Sequence, residues 1–116
     1  MDSLTLAFLG DAVHTVFVRN ILAGSGLKIG ALHKECSKFC KASHQSKIFD
    51  ELFPTLSEEE ADVARRARNA KSHNAPKNSN PIEYKKATAF EALIGYLFTN
   101  NKTERMIEIL KYSMKI

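Results

Sequence analysis

Asp11 and Glu91 are the two residues of this sequence whose surroundings pose a chemical problem. In "LAFLGDAVHTVFVRN", residues 6–20, helical spacings of three, four and seven stack Leu4, Ala7, Phe8, His14, Thr15 and Val18 around Asp11. In "YKKATAFEALIGYLF", residues 84–98, the same spacings stack Tyr84, Ala87, Thr88, Ile94, Gly95 and Phe98 around Glu91. Both acids are therefore expected to point inward. An uncompensated buried carboxylate costs several kcal/mol, so each needs an answer to its charge. Three are open: an ion pair to Arg65, Arg66 or Arg68, protonation of one acid, or a shared metal ion. Oxygen-only ligation by carboxylates suits Mg²⁺, which keeps several waters and accepts phosphate oxygens. The small residues Ala7 and Gly10 beside Asp11, and Ala87 and Gly95 beside Glu91, leave room for close helix approach or for a ligand.

A second constellation is His33, Cys36, Cys40 and His44, at spacings of three, four and four. On one helix the stripe would span about 16 Å at roughly 1.5 Å per residue, too long for tetrahedral zinc. Only a turn near Lys41 could fold His44 back. The two cysteines, one helical turn apart, have geometry poor for a disulfide and read as free thiols of a reducing compartment. His14 reads as a packed or supporting residue beside Asp11.

The elements that must carry these residues are all helical. A first helix is expected from about Leu4 to Ala23, ended by Gly24-Ser25-Gly26. A second covers about Ala31 to Cys40 and a third Ser43 to Leu52, broken before Pro54. Ser57 with Glu60 forms a capping box that starts a fourth helix, running to about Ala70. "KSHNAPKNSNP", residues 71–81, has no periodicity and is the longest loop. Asn80 and Pro81 open a fifth helix to about Asn100, and Asn101 with Glu104 caps a sixth.

The whole is expected to be a single all-α domain over residues 1–116, of about six helices. With 44% hydrophobic and 26% charged residues, and only 5 Gly and 3 Pro, the composition is that of a helical globular protein. Asp11, His14, Arg19 and Asn20 interrupt the most apolar stretch, so no segment is expected to reach the roughly 18 to 20 residues of a membrane span. No basic residues precede that stretch as in a signal peptide, and the cytoplasm is the expected compartment. Seventeen Lys and Arg against 13 Asp and Glu leave a net charge of +4, which favours a polyanionic partner.

"LHK" at 32–34, "AFLGDAV" at 7–13, "RRARNAKS" at 65–72 and "APKNSNPIEYKKATAFEALIGYLF" at 75–98 carry a resemblance across nearly the whole chain. The sequence resembles Mini-ribonuclease III, the bacterial branch of the ribonuclease III family without a separate double-stranded-RNA-binding domain. The resemblance implies a ribonuclease III-like helical endonuclease domain, acting as a homodimer on double-stranded RNA with Mg²⁺ in maturation of 23S ribosomal RNA. It implies Asp11 and Glu91 as catalytic acids and metal ligands, and products with 5′-phosphate and 3′-hydroxyl ends. Larger ribonucleases III carry four acids per site; Ala7 and Thr88 stand at two of those positions here.

A catalytic domain without an RNA-binding appendage must grip A-form RNA itself, through phosphates and 2′-hydroxyls of the shallow minor groove. Arg66, Arg68, Asn69, Lys71, Lys77 and Asn78, with His73 beside them, are the residues expected to do so. Cutting both strands calls for two sites related by a dyad, with Phe8, Val16 and Phe17 as candidate interface residues. Two other classes fit the residues: a catalytically silent ribonuclease III-like domain that binds RNA or a ribosomal partner, and a helical interaction protein whose inward acids form ion pairs.

Overall fold

The computed structural model describes residues 1–71 and 75–116, and among them there is no strand. Six α-helices follow in order: α1 Ser3–Ala23, α2 Ile29–Cys40, α3 Ala42–Leu52, α4 Glu58–Asn69, α5 Pro81–Thr99 and α6 Thr103–Met114, with a 3₁₀ turn at Phe53–Thr55. The all-α expectation holds. His73, one of the residues expected beside the RNA, lies outside the described residues.

Local chemistry sets most of these boundaries. Asp2 caps α1 by accepting from the Thr5 N–H, and Asn80 caps α5 by accepting from those of Ile82 and Glu83. The capping box at Ser57 and Glu60 is complete, each side chain bonded to the other's backbone N–H at 3.1 and 3.0 Å. Asn101 does not cap α6: Lys102 holds that position without a side-chain bond, while Asn101 turns the chain at φ 57°. Two residues sooner than expected, α2 starts at Ile29 and takes in Gly30.

Helix α5 is the centre, packed by α1, α3, α4 and α6. Apart from Glu91, its middle is apolar nearly all round, as suits a helix surrounded by others, with Ala89, Phe90, Ala92, Leu93, Ile94 and Leu97 all fully buried. By length and composition alone α1 is long and apolar enough to cross a membrane, which corrects the expectation that no apolar stretch reaches that length. In the fold it instead buries one stripe, Ala7, Gly10, His14 and Val18, packing mainly along α5, with Val18 set against Cys36 and Met114.

That contact is unusually close. A Cβ on Gly10 would lie 1.7 Å from the Glu91 carbonyl oxygen, and one on Gly95 would lie 2.0 Å from that of Leu6. The two glycines let α1 and α5 cross backbone against backbone. Of the two uses open to those small residues, Gly10 and Gly95 serve helix approach.

Candidate active site

The crossing at Gly10 sets Asp11, the next residue of α1, opposite Glu91 of α5. The two acids share a 360 Å³ cleft lined by Leu4, Ala7, Phe8, Asp11, Tyr84, Thr88 and Glu91. Glu91 is half-buried, but Asp11 is exposed, which corrects the expectation that both point inward. The reason is that apolar neighbours are not always buried ones. Leu4 and Phe8 face out from α1, Phe8 with 81% of its surface exposed, so Asp11 flanks the buried stripe and leans over the cleft rim.

Burial, a hydrogen-bonding contact with the Asp11 carboxyl and the Asp11 charge together push Glu91 up to about 9. No Lys or Arg relieves it: among the described residues no ion pair reaches either acid. Of the arginines offered as partners, Arg66 pairs with Asp62 at 2.6 Å and Arg65 lies over the Phe53 ring at 5.9 Å. The ion-pair answer is thereby excluded for the described residues. Two carboxylates crowded in an open cleft without a cation suit a divalent ion that takes its other ligands from water or substrate.

Behind the acids lies a polar core that the sequence reading only partly foresaw. His14 is fully buried, with its ring edge-on to Phe90 at 5.1 Å, and burial pushes it down to about 4, so it is neutral. Gln45 donates from Nε2 to His14 Nδ1 at 3.2 Å, and a further hydrogen bond from Gln45 pulls Glu91 part of the way back toward the carboxylate form. Gln45 was missed. Its signal was its register, three before Ile48 and four before Phe49 on the buried face of α3.

The histidine and cysteine constellation does not assemble. His44 uses Nε2 on the Ser113 carbonyl oxygen at 2.7 Å, His33 is exposed, and burial pushes the Cys40 thiol up to about 12. The Cys36 and Cys40 sulfurs lie 3.8 Å apart as free thiols.

The family model of the ribonuclease III domain matches residues 4–102. The chain is 46% identical to Mini-ribonuclease 3 of Symbiobacterium thermophilum over 96% of its own length and 86% of that protein. With the Mini-ribonuclease 3 of Brevibacillus brevis it shares 47% identity, over 99% and 87% of the two chains. The chain belongs to the ribonuclease III family. Its fold agrees: a crystal structure of a Fusobacterium nucleatum protein superposes with a TM-score of 0.92 at 34% identity, covering 99% of this chain and 93% of that one.

As a member of this family the protein is an endoribonuclease. Ala7 and Thr88 line the same cleft, so its lining offers two carboxylates, those of Asp11 and Glu91. A neighbouring 170 Å³ hollow shares Leu4, Tyr84 and Thr88 with it and extends along Ala67, Ala70, Ala75, Pro81 and Lys85. The end of α4 and the far side of the 71–81 loop thus border the acids. Of the residues expected to contact RNA, Arg66, Asn69, Lys71, Lys77 and Asn78 are exposed and Arg68 is partly buried.

Proposed function

We propose that this endoribonuclease cleaves double-stranded RNA with Mg²⁺ held by Asp11 and Glu91, as a single catalytic domain over residues 1–116 working in a cytoplasmic homodimer. The observation that carries the reading is the pair of carboxylates facing each other across an open cleft with no cation of the protein's own. A carboxylate-held Mg²⁺ supplies a water acidic enough to attack near neutral pH and stabilises charge on the phosphate. The chain's own part is to hold and place. Glu91, carried by α5, lines the cleft; Asp11, more exposed, completes the pair. Arg66, Arg68, Asn69, Lys71, Lys77 and Asn78 stand along the bordering segment, where cationic and amide groups can hold a phosphate backbone.

The homodimer is supported by the outer flank of α1. Phe8, which lines the cleft, and Val16, further along the helix, are 81% and 67% exposed, a placement that suits a partner subunit. Phe17, offered with them, is half-buried and packs against the core instead. The precursor of 23S ribosomal RNA as substrate rests on the likeness to Mini-ribonuclease III.

Incubating the protein with a long RNA duplex, with Mg²⁺ or with EDTA, tests the reading. Cleavage is expected with Mg²⁺ alone, leaving 5′-phosphates, and Asp11→Asn is expected to slow it by at least about a hundredfold, a loss typical of removing one charge-stabilising group. Binding without cleavage in any metal would instead identify a silent RNA-binding domain.

A further inference from the structure

The 170 Å³ hollow that opens off the acid cleft is lined differently from the cleft itself. Its floor is apolar, formed by Leu4, Ala67, Ala70, Ala75 and Pro81. Among the described residues every polar side chain in its lining comes from α5, namely Tyr84, Lys85 and Thr88. Tyr84, Thr88 and Glu91 follow at spacings of four and three, so they share one face of the helix, and the first two line both spaces. The hollow thus continues the acid cleft, with Tyr84 about 10 Å along α5 from Glu91 at roughly 1.5 Å per residue. Thr88 has no hydrogen left to give, because its Oγ1 donates to the Tyr84 carbonyl oxygen at 2.9 Å. Tyr84 differs from the other two tyrosines. Tyr96 and Tyr112 donate their hydroxyls to Glu59 and Glu51, whereas among the described residues nothing bonds that of Tyr84. The neighbouring lysines divide in the same way. Lys86 pairs with Asp50 at 2.9 Å, while Lys85 is exposed at the hollow and forms no ion pair among the described residues.

We propose that this hollow is a ribose subsite, in which the Tyr84 hydroxyl reads the 2′-hydroxyl of a nucleotide flanking the cut and Lys85 holds that nucleotide's phosphate. The proposal rests on the reading of Asp11 and Glu91 as the place where double-stranded RNA is cleaved. The chemistry favours a sugar over a base. In an A-form duplex the bases are paired inward, and the shallow minor groove presents 2′-hydroxyls and backbone. A ribose brings a carbon face for Leu4, Pro81 and the alanines, a hydroxyl that accepts from a phenol, and a phosphate for a lysine. A strand held at the acid pair runs its neighbouring sugars along α5 toward Tyr84, because cleft and hollow are continuous. DNA has no 2′-oxygen for Tyr84 to bond, so the subsite contributes to the choice of RNA without touching the reacting atoms.

The experiment uses an RNA duplex that the protein cuts at one mapped bond, with copies that carry a single 2′-fluoro nucleotide at successive positions beside that bond. Fluorine keeps the A-form sugar pucker but accepts a hydrogen bond poorly. With the unmodified protein, kcat/KM is expected to fall roughly threefold to tenfold at one position, as for the loss of one neutral hydrogen bond. Tyr84→Phe should lose the same factor on the all-RNA duplex and nothing further at that position. A variant slowed alike on every duplex, with the fluorine penalty intact, has lost only packing, and that result overturns the proposal. Lys85→Ala tests the phosphate contact and leaves the phenol in place. It should weaken duplex binding in EDTA, lower the slope of log affinity against log salt by up to about one unit, and keep the fluorine penalty. Lys86→Ala, whose charge faces Asp50, should do none of this; binding in Lys85→Ala that matches the unmodified protein overturns the proposal as well. No cleavage of the all-RNA duplex in Mg²⁺ would sink the proposed function and the subsite together, whereas cleavage with no fluorine penalty at any position sinks the subsite alone.

Discussion

Glu60 and Glu91 are both glutamates set into the helical core, and the protein treats them in opposite ways. Glu60, 8% exposed on α4, takes hydrogen bonds from Arg105 Nε at 2.9 Å and Nη2 at 3.1 Å, and from the Ser57 backbone at 3.0 Å. The Arg105 hydrogen bonds hold its carboxyl below the usual range. Glu91 on α5 has another carboxylate where Glu60 has an arginine, and is pushed up to about 9. The sequence places arginines freely on α4 and α6, so the lack of one at the α1–α5 cleft is a choice of side chain rather than a shortage. An acid paired inside the protein is committed to stability, while one left facing its like is available to something from outside.

The comparison depends on how close α1 comes to α5, and the largest expected effect comes from breaking that approach. Gly10→Ala would drive a Cβ to 1.7 Å from the Glu91 carbonyl oxygen, a rigid backbone atom. We expect a loss of about 3 kcal/mol or more in stability, with Asp11 carried away from Glu91 and cleavage reduced alongside. Gly30 is the control. It lies in α2 with nothing within 4 Å of its would-be Cβ, so Gly30→Ala should raise stability by about 0.5 to 1 kcal/mol. Chemical denaturation of the two variants measures both; equal effects would mean that the crossing is not tight.

These two glycines also show what the sequence could and could not reveal. Helix α5 was legible because its apolar run, its Asn80 cap and its Pro81 all say the same thing. Gly10 and Gly95 were legible as small residues beside the acids, but which use they served depended on a crossing angle that no spacing encodes. Asp11 was misplaced for a related reason. A helix with apolar residues on two faces has two possible inward directions, and the sequence does not say which one meets α5. Gln45 was hidden differently, because its partners come from α1, α5 and, through His14, α6, three helices distant in the chain.

A smaller effect sharpens the comparison of the two glutamates directly. Glu60→Gln removes a charge that Arg105 is holding and is expected to cost about 1 to 2 kcal/mol near neutral pH. Glu91→Gln should instead stabilise the protein in EDTA, and the sign of its pH dependence follows from the shift. A carboxyl raised from 4.5 to about 9 on folding favours the protonated native state, so its contribution is full below about pH 4.5 and is lost as pH rises toward 9. The melting-temperature gap between Glu91→Gln and the unmodified protein should therefore open steadily across that window and close again when Mg²⁺ is added. Glu60, lowered on folding, stabilises above its ordinary pKa and loses that contribution in acid. Parallel pH profiles for the two variants would erase the distinction between a paired acid and a waiting one.

The smallest effects are expected where charge meets solvent, on the segment bordering the acids. Arg66 is tied to Asp62 across one turn of α4, at 2.6 Å, so part of its charge is answered within the protein. Lys71 and Lys77 are exposed, and among the described residues neither forms an ion pair. Lysines in that state can release counterions from a phosphate backbone with little to give up in exchange, so they should contribute more to binding than Arg66 does. Replacing both lysines by alanine is expected to weaken binding to every duplex sequence alike and to lower the slope of log affinity against log salt by up to about one unit per lost contact. Arg66→Ala should lower it by less. Cleavage at saturating RNA should change little in either variant, because Asp11 and Glu91 are untouched. Duplex affinity measured from low to moderate salt decides it, and superimposable lines for the unmodified protein and the double variant would leave the loop as solvated surface with no part in holding RNA.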